Sequence, residues 1–472
     1  MQRAFIVTGF GYGDEGKGTV AHWLSSRYGA HTVIRTGGPQ ALHRVVCASG
    51  AEHVFSQFGS GTLRGSATHL SSRMVIDPHA ILKEGEHLKY VQGISNIFEM
   101  LTIHKDAIVI TPFQAIAGRL HELLRGKNRH GSVGVGVGET ILDADILGDS
   151  TLRAKDLASP DLRERLHIIR ERKLTTFEEI MDRTSVIPHE MRERVRLEIA
   201  ELEDLDTVEW AIERFTEFTK RVKIVDTDYV TKYILGVDGT VIFEGSQGVL
   251  LDRFYGFHPY TTKVRTTPSD AFDILNECAY AGDVKSFGVL RAYHTRHGAG
   301  PFVTESSLLT QQLPDATNKD HLWQGGFRVG SFDTIAARYA IQVVGRASVD
   351  GLILTCLDRL SQHKSWHVCN AYTLSCATPD QQSFFQYDGD DIVGIRDTVI
   401  PDDTKMLEHQ EKLGEALRRC VAKSSTVNIP PCAHTFIDRC VSTLETNLKL
   451  PVVAVSVGPT EVDKIAIKMG SD

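Results

Sequence analysis

Short apolar runs alternate with longer amphipathic stretches along this chain of 472 residues. Runs rich in β-branched residues lie at 4–8, 32–35, 107–111 and 240–243, and each predicts a buried strand. Helical spacing follows the first run as far as residue 28, and residues 79–126 predict a helix, a strand and a second helix. This repeated order of strand and helix predicts an α/β fold with a parallel sheet.

Residues 151–235 differ from the rest of the chain, because Arg, Glu and Leu recur there at helical spacing. So many charges predict solvated helix faces with ion pairs between successive turns. We assign this segment no catalytic role.

The composition is that of a globular protein, with 42% hydrophobic and 24% charged residues. A net charge of -8 does not favour broad electrostatic binding to nucleic acid or to an acidic membrane. The eight cysteines form no C-x-x-C pair and no metal-type cluster with histidine, so they predict reduced thiols. No signal peptide or long apolar run is evident, and the predicted location is cytoplasmic.

The first predicted strand runs directly into a glycine-rich loop at residues 9–19, GFGYGDEGKGT. Glycines let backbone N–H groups approach an anion, a helix N-terminus adds partial positive charge, and Lys17 adds a full one. The loop therefore predicts a phosphate site. Asp14 in its middle would be repelled by phosphate unless it held a metal ion or took a proton, so a role for Asp14 in the reaction is predicted rather than a structural one.

Three interpretations of this loop remain open from its residues alone. A P-loop fits the spacing of Gly11, Gly16 and Lys17, but Gly18 stands where a metal-binding Ser or Thr is required. A dinucleotide-binding turn also fits, although the next strand ends near Arg35 rather than at an acidic residue, which suits only NADP. The third interpretation is a turn without a ligand.

Six stretches, in order, resemble the adenylosuccinate synthetase family. They are residues 13–18 (GDEGKG), 37–43 (GGPQALH), 131–138 (GSVGVGVG), 244–252 (EGSQGVLLD), 292–302 (AYHTRHGAGPF) and 354–358 (LTCLD). The resemblance implies a large, mostly parallel central sheet flanked by helices, the P-loop-related GTP-binding ligase fold. It also implies one domain over residues 1–472, with a charged helical insertion at about 151–235.

The family joins aspartate to the 6-position of IMP with GTP and Mg²⁺, and the resemblance carries its catalytic roles to three residues. Asp14 would take the ring N–H proton and bind Mg²⁺, His43 would stabilise charge on the 6-oxygen, and Gln247 would contact the purine. The backbone carbonyl of Leu42 could be a second metal ligand. The GTP-binding residues implied in the same way are Gly13, Glu15, Gly16, Lys17, Gly18, Thr19, Asp358, Ser456, Gly458 and Pro459.

The substrate loops depart from the family pattern. Of the phosphate-binding residues in the second glycine loop only Ser132 keeps a hydroxyl, and an acidic stretch with Asp143, Asp145 and Asp149 stands where the family has an arginine. Such carboxylates would repel a phosphate. The remaining substrate-binding residues predicted are Gln40, Thr262, Lys263, Arg265 and Arg328. We hypothesise that Lys263 and Arg265 replace the lost cationic clamp.

The amino-acid loop at 321–333 retains one arginine, Arg328, where the family has several. Because two carboxylates are best held by bidentate arginines, aspartate itself is placed in doubt. The resulting prediction is a GTP-dependent ligase that phosphorylates a purine nucleotide-like acceptor and adds an amine, with altered substrates. Ordinary adenylosuccinate synthesis and a non-catalytic GTP-binding paralogue are the alternatives. A homodimer is implied by the resemblance.

Overall fold

The computed structural model describes residues 1–183, 189–315, 318, 323–363, 365–374, 378–430 and 432–469. In these ranges the strands are β1 Gln2–Gly9, β2 Thr32–Gly37, β3 His43–Val46, β4 Glu52–Phe55, β5 Ala67–Ile76, β6 Leu101–His104, β7 Ile108–Val109, β8 Lys223–Val225, β9 Gly239–Glu244, β10 Asp283–Arg291, β11 His294–His297, β12 Phe327–Gly330, β13 Phe332–Asp333, β14 Gly351–Thr355, β15 Ser365–Leu374, β16 Phe385–Asp388, β17 Asp391–Ile395, β18 Cys420–Asn428, β19 Val452–Ser456 and β20 Lys464–Ala466.

The α-helices in the same ranges are α1 Lys17–Tyr28, α2 Pro78–Tyr90, α3 Pro112–Arg125, α4 Val137–Leu147, α5 Leu162–Arg183, α6 His189–Glu203, α7 Asp206–Arg221, α8 Thr227–Tyr229, α9 Ser269–Glu277, α10 Ser307–Gln312, α11 Thr334–Val344, α12 Leu357–Leu360, α13 Pro379–Gln382, α14 Asp403–Leu417 and α15 Ala433–Leu448. No helix among the described residues is both long and apolar enough to cross a membrane.

The central sheet has eleven strands, ten of them in the order β20-β19-β14-β10-β1-β9-β2-β5-β6-β8, with β7 paired to β5. Neighbouring strands are parallel throughout this path except at the β19-β20 edge, which is antiparallel. This confirms the predicted mostly parallel sheet. The strand predicted at 107–111 is shorter than expected, because only Ile108 and Val109 pair with β5.

Strand β1 explains why its sequence is a continuous apolar run. Successive side chains point to opposite faces, so Ala4 and Ile6 enter one core cluster while Phe5 and Val7 enter another. Helices cover both faces, and a strand buried on both sides has no polar alternation. The strand therefore fixes the start of the glycine loop at the middle of the sheet.

Within the described residues, the charged segment 151–235 is largely helical. It contains α5, α6, α7 and α8, and its short strand β8 pairs with β6 at the edge of the central sheet. The segment is thus joined to the main sheet through backbone pairing. A second sheet of five strands, β13, β15, β16, β17 and β18, packs with α11, α14 and α15 in the largest core cluster.

Parallel strands place their carboxyl ends at one edge of the sheet. The loops after β1, β2, β9, β10 and β14 leave that common edge, and β1 is the strand between β9 and β10. Open α/β sheets bind ligands in the crevice beyond such ends. Five of the six stretches quoted above lie in these loops.

Candidate active site

A cavity of about 450 Å³ lies at the carboxyl edge of the central sheet. Nine of the residues predicted from the sequence line it, namely Gly13, Asp14, Gln40, Leu42, His43, Ser132, Gln247, Thr262 and Lys263. Tyr260, Arg296 and His297 line it as well. The fold therefore gathers catalytic and substrate-binding candidates from five separate segments into one space.

The glycine loop after β1 is shaped by close approaches that only glycine permits. Gly16 has a φ of 88° at the cap of α1, a conformation that residues with a Cβ rarely adopt. A Cβ on Gly18 would lie 2.7 Å from the Cβ of His43 and 3.0 Å from Ser60 Oγ. The glycine that argued against an ordinary P-loop is thus explained by the histidine packed against it.

Lys17 and Glu15 form a buried ion pair inside this loop. Lys17 Nζ lies 3.0 Å from Glu15 Oε2 and donates to Gly13 O at 2.9 Å, and the two side chains are 1% and 4% exposed. The Gly13 N–H donates to the other oxygen of Glu15 at 2.7 Å. Without a ligand the cation and the loop are therefore held by Glu15, while Thr19 bonds back to the Gly16 carbonyl.

Asp14 lies at the cavity wall beside a histidine that the sequence did not single out. His297 Nε2 is 3.6 Å from Asp14 Oδ2, and Arg291 donates to the Asp14 backbone carbonyl at 3.3 Å. Burial raises the pKa of the Asp14 carboxyl above its ordinary value, while His297 and Arg291 oppose the rise. A carboxylate with a raised pKa is a better proton acceptor.

His43 is oriented by a buried carboxylate that was quoted only as part of a motif. His43 Nδ1 lies 2.5 Å from Glu244 Oε1, and His43 Nε2 has no hydrogen-bond partner among the described residues. An ionised carboxylate can only accept, so Nδ1 carries the hydrogen and Nε2 keeps a free lone pair on a residue that lines the cavity. Burial, with Arg35 adding to it, lowers the pKa of His43 to about 4, although Glu244 acts in the opposite direction.

Glu244 is fully buried at the end of β9 and is held by four groups. Besides His43, it accepts the Ser60 hydroxyl and the Ser60 N–H, the latter at 2.9 Å, and Arg35 Nη1 lies 3.7 Å away. Burial alone would raise the pKa of Glu244, but Arg35, His43 and Ser60 lower it to about 2. Arg35 also donates to Phe58 O and is fully buried, so it is not available for the 2'-phosphate of NADP.

Two glutamines present unsatisfied oxygens at the same cavity. Gln40 Nε2 donates to Thr262 Oγ1 at 3.3 Å, and Gln40 Oε1 is buried without a partner in the described part of the chain. Gln247 has a φ of 48° and its Oε1 is buried and unpaired as well. Buried polar atoms are normally hydrogen-bonded. Their arrangement here indicates a polar ligand.

The acidic stretch on α4 does not present its charges to the cavity as the sequence suggested. Asp143 is buried and bonds Lys173 Nζ at 2.8 Å, and Asp145 pairs with Arg253 Nη2 at 2.5 Å. Glu139 bonds His121 Nδ1 at 2.7 Å and Lys173 Nζ at 3.2 Å. Burial opposes ionisation of Glu139, but its partners outweigh that effect and lower its pKa to about 2. The expected repulsion of a phosphate by Asp143 and Asp145 is therefore largely removed.

Of the two cations proposed as a replacement clamp, only Lys263 lines the cavity. It is half-buried, forms no ion pair among the described residues, and burial together with Arg253 and Arg125 lowers its pKa. Arg265 is a correction to the sequence prediction. Its side chain is 53% exposed and lies 3.9 Å from Asp270 and 3.8 Å from Asp273, so it points to α9 instead. Arg125, at the end of α3, lines the cavity in its place.

Arg328 also lies outside the residues that line the cavity. It pairs with Glu305 at 2.6 Å and donates to Gly300 O at 3.2 Å, so its charge is already neutralised. The neighbouring strand supplies a different guanidinium. Arg296, cross-strand from Arg328, is 1% exposed, donates to the backbone carbonyls of Pro301 and Tyr260, and has its Cζ 4.5 Å from the centroid of the Tyr12 ring. The first two residues of the predicted amino-acid loop, 321 and 322, lie outside the described residues.

The residues predicted to recognise guanine lie at the ends of the paired strands β14 and β19. Thr355 Oγ1 at the end of β14 donates to the Glu15 carbonyl at 2.7 Å, which connects this region to the glycine loop. Ser456 Oγ donates to Gly458 O at 2.8 Å, and Lys464 Nζ donates to the same carbonyl at 3.0 Å. Burial lowers the pKa of Lys464 to about 8, and Asp463, Cys356 and Asp358 oppose that shift. Lys464 thus lies near Asp358, and Pro459 lies in the same turn.

Sequence reasoning missed Glu244, Arg296, His297 and Lys464. Three of them lie inside or beside stretches that had been quoted, so the motif positions carried a signal that was not used. Lys464 had no such signal, because its role depends on the pairing of β19 with β20.

The sequence of the chain is similar to those of known proteins over nearly its whole length. The family model described as adenylosuccinate synthetase matches residues 6–465. An adenylosuccinate synthetase of Synechococcus sp. (strain JA-2-3B'a(2-13)) is 30% identical over 481 residues, which is 98% of this chain and 94% of that protein. One of Chlorobium luteolum is 30% identical over 480 residues, covering 97% and 96%.

Two solved structures share the fold. A fully ligated adenylosuccinate synthetase from Plasmodium falciparum superposes with a TM-score of 0.74 at 18% identity, covering 98% of this chain and 99% of that one. A succinoaminodeoxyadenylate synthetase of cyanophage S-2L, bound to dGMP and to dATP as an energy donor, gives a TM-score of 0.57 at 16% identity, covering 99% and 95%. At such identities the likeness concerns the fold.

Proposed function

The chain belongs to the adenylosuccinate synthetase family and is a ligase that forms carbon–nitrogen bonds, and we propose that it uses GTP and Mg²⁺ to phosphorylate the 6-oxygen of a purine nucleotide before an amine displaces the phosphate. The observation that carries this proposal is the convergence of Asp14, the His43–Glu244 pair and Gln247 on one cavity beside the glycine loop.

Each of these residues has a role that its surroundings support. Asp14, with its raised pKa, accepts the proton of the purine ring nitrogen. His43 uses its unpaired Nε2 at the 6-oxygen, while Glu244 fixes the tautomer and stabilises the imidazolium that forms there. Gln247 bonds the purine through its buried amide oxygen. His297, whose Nε2 lies 3.6 Å from Asp14 Oδ2, positions that carboxyl group.

GTP would bind along the edge from the glycine loop to the turn after β19. Gly13, Gly16, Gly18 and Thr19 supply the backbone cradle, and Lys17 exchanges its bond with Glu15 for the phosphates. Asp358 accepts hydrogen bonds from guanine N1–H and N2–H together, which adenine does not offer. Ser456, Gly458 and Pro459 cover the base, and Lys464 supports that turn.

The predicted magnesium ligands fit the chemistry of that ion. Asp14 and Leu42 both line the cavity, and a carboxylate and a backbone carbonyl are the hard oxygen donors that Mg²⁺ prefers. When bound, Mg²⁺ neutralises charge on the transferring phosphoryl group.

One wall of the cavity, called here the substrate wall, is formed by Gln40, Arg125, Ser132, Thr262 and Lys263. Its composition supports a purine nucleotide whose phosphate is bound by other residues than in the family pattern. Lys263 is a half-buried cation that forms no ion pair with any described residue, and it lines the same wall as Ser132, Gln40 and Thr262. Arg125 lines the same wall, although it pairs with Glu122 at 2.6 Å. These groups form a compact cationic and hydroxyl site suited to one phosphate.

For the amine, Arg296 is the guanidinium at the cavity that has no carboxylate partner among the described residues. One arginine suits an amine that carries one carboxylate, whereas the second cation expected for aspartate, Arg328, is neutralised by Glu305. Ordinary use of aspartate would require Arg328 to exchange Glu305 for the substrate. We therefore retain altered substrates as the proposal and adenylosuccinate synthesis as the alternative.

We also propose a homodimer in the cytoplasm. Leu142 and Ile146 on α4 are 40% and 74% exposed, and Leu142 borders the cavity. Covering these apolar side chains with a second copy would close the cavity mouth. Light scattering after gel filtration should then give twice the chain mass, and Ile146→Asp should give the monomer. A monomeric wild type would contradict the proposal.

The experiment that tests the function measures GDP release from Mg²⁺GTP with IMP, dIMP, GMP or dGMP, each with and without aspartate, and identifies products by mass spectrometry. Turnover with one acceptor that requires an amine supports the ligase reaction. Adenylosuccinate formed at an ordinary rate from IMP and aspartate favours the alternative, ordinary adenylosuccinate synthesis. If no acceptor and no amine from a panel of amino acids gives GDP while GTP still binds, the non-catalytic alternative is correct.

A further inference from the structure

Outside the cavity, three side chains of metal-ligating type meet in the interior, although their spacing in the sequence gave no such signal. They are His22 on α1, Cys47 directly after β3 and Glu461 in the turn after β19. All three are buried, with 1%, 6% and 8% exposure, and their ligand atoms lie within 4.8 Å of one another. From this cluster we propose that the protein binds one Zn²⁺ ion through these three side chains, with water as the fourth ligand.

The imidazole is oriented as a metal ligand requires. His22 Nδ1 lies 3.1 Å from the Ser60 carbonyl, and because a carbonyl only accepts, Nδ1 carries the hydrogen. The lone pair of Nε2 therefore points away from Ser60, towards Cys47 Sγ and Glu461 Oε2, each 3.6 Å away. A backbone carbonyl that fixes the second nitrogen is the usual support of a zinc-bound histidine.

The two separations from the imidazole nitrogen suit a zinc ion, and the thiol and the carboxylate oxygen lie within 4.8 Å of each other. Zinc bonds of about 2.0 Å to nitrogen or oxygen and about 2.3 Å to sulfur place neighbouring tetrahedral ligands roughly 3.3–3.8 Å apart. Both measured separations from Nε2 fall in that range. The Cys47 thiol can donate to the lone pair of His22 Nε2, so a metal ion would replace the thiol proton between the two atoms.

The carboxylate and the thiol are held in place by their own neighbours. Arg64 pairs with Glu461 Oε1, and the Ala48 N–H donates to Oε2 at 3.1 Å. The Cys47 backbone is fixed by a turn in which its N–H donates to Ala51 O at 2.8 Å. This mixture of sulfur, nitrogen and oxygen suits zinc, whereas magnesium and calcium prefer oxygen alone. Binding converts the thiol to a thiolate and releases its proton to solvent.

The site would add a metal crosslink between three parts of the protein that already contact one another through the Ala48–Glu461 and Arg64–Glu461 bonds. Helix α1 follows the glycine loop, β3 begins at His43, and the turn with Glu461 follows the strand that ends at Ser456. The proposal rests on the geometry of the cluster and does not depend on the reaction.

The test uses the full-length protein with any affinity tag removed. After chelation and gel filtration, the protein is titrated with Zn²⁺ and with Co²⁺, and metal content and absorption are measured. We expect one equivalent of zinc per chain, and for Co²⁺ a thiolate charge-transfer band with tetrahedral d–d bands. Cys47→Ser should abolish the charge-transfer band and weaken zinc binding at least about tenfold, and His22→Gln should weaken binding similarly.

The control is Cys278→Ser, since Cys278 is also buried but lies on the opposite face of the sheet in another cluster. It should leave the stoichiometry and the cobalt spectrum unchanged. Circular dichroism verifies that each variant is folded. The proposal is overturned if the wild type binds well under one equivalent, if Cys47→Ser keeps the charge-transfer band, or if replacing the exposed Cys432 removes it instead. Each of these results would mean that His22, Cys47 and Glu461 are only hydrogen-bonded to one another and do not bind a metal ion.

Discussion

Replacing Glu244 by glutamine tests whether this carboxylate contributes to catalysis as well as to the stability of the folded protein. The pKa of Glu244 is lowered from 4.5 to about 2, which corresponds to about 3 kcal/mol of stabilisation of the folded protein above pH 4.5. Glu244→Gln removes that charge and lets either nitrogen of His43 carry the hydrogen. We expect the free energy of unfolding to fall by about 3 kcal/mol and kcat to fall between about 10²- and 10⁴-fold.

The assay is GDP release with the substrate pair that supports turnover, together with urea denaturation of the same samples. Glu84→Gln is the matched control, because Glu84 is a buried carboxylate that accepts the N–H groups of Ser56 and Gln57 and lies outside the cavity lining. It should lose stability while kcat stays within about threefold of wild type. If Glu244→Gln kept kcat at the level of that control, Glu244 would be a structural residue and the proposed role of the pair would be refuted.

Three further outcomes follow from the site. Lys263→Ala should raise KM for the nucleotide at least about tenfold, because a charged hydrogen bond contributes about 1.5–3 kcal/mol, whereas Arg265→Ala should not; equal effects of the two would contradict the assignment. Glu139→Gln should lower the free energy of unfolding by about 3 kcal/mol at pH 7 and by only about 1 kcal/mol at pH 3, because a carboxylate with a lowered pKa loses its stabilising effect as the pH falls towards that pKa. A pH-independent difference in urea denaturation would exclude the ion pair with Lys173. Gly18→Ala should reduce kcat about 100-fold by displacing the neighbouring histidine; unchanged kinetics would show that the loop can move away.

The central sheet could be predicted from the sequence because its strands are buried on both faces. Their apolar runs are continuous, and glycine-rich turns mark the ends of β1, β2 and β9. The strand at 107–111 was overestimated for the same reason, since a short apolar run looks alike whether or not it finds a partner. The short strand β8 was missed because three residues in a charged helical segment carry too little pattern.

That Asp14, His43 and Gln247 lie together could be predicted because each lies within a few residues of a strand end, where motif and position coincide. The charges on the substrate wall could not, because the sign of a local field depends on partners far away in the chain. Asp145 is neutralised by Arg253, and Arg328 by Glu305. A sequence shows which charges exist, whereas their net effect at a ligand requires the pairing.

The residues at the strand ends were easier to predict than the charges on the substrate wall, and this difference has a physical origin. The loops that carry Asp14, His43 and Gln247 follow strands that are hydrogen-bonded on both sides, so a substitution there disturbs the sheet as well as the chemistry. The wall around Lys263 and α4 is formed by loops and a helix outside that sheet, where ion pairs can be exchanged at small cost. A change of substrate is therefore most readily achieved at the wall, while the reaction at the strand ends is retained.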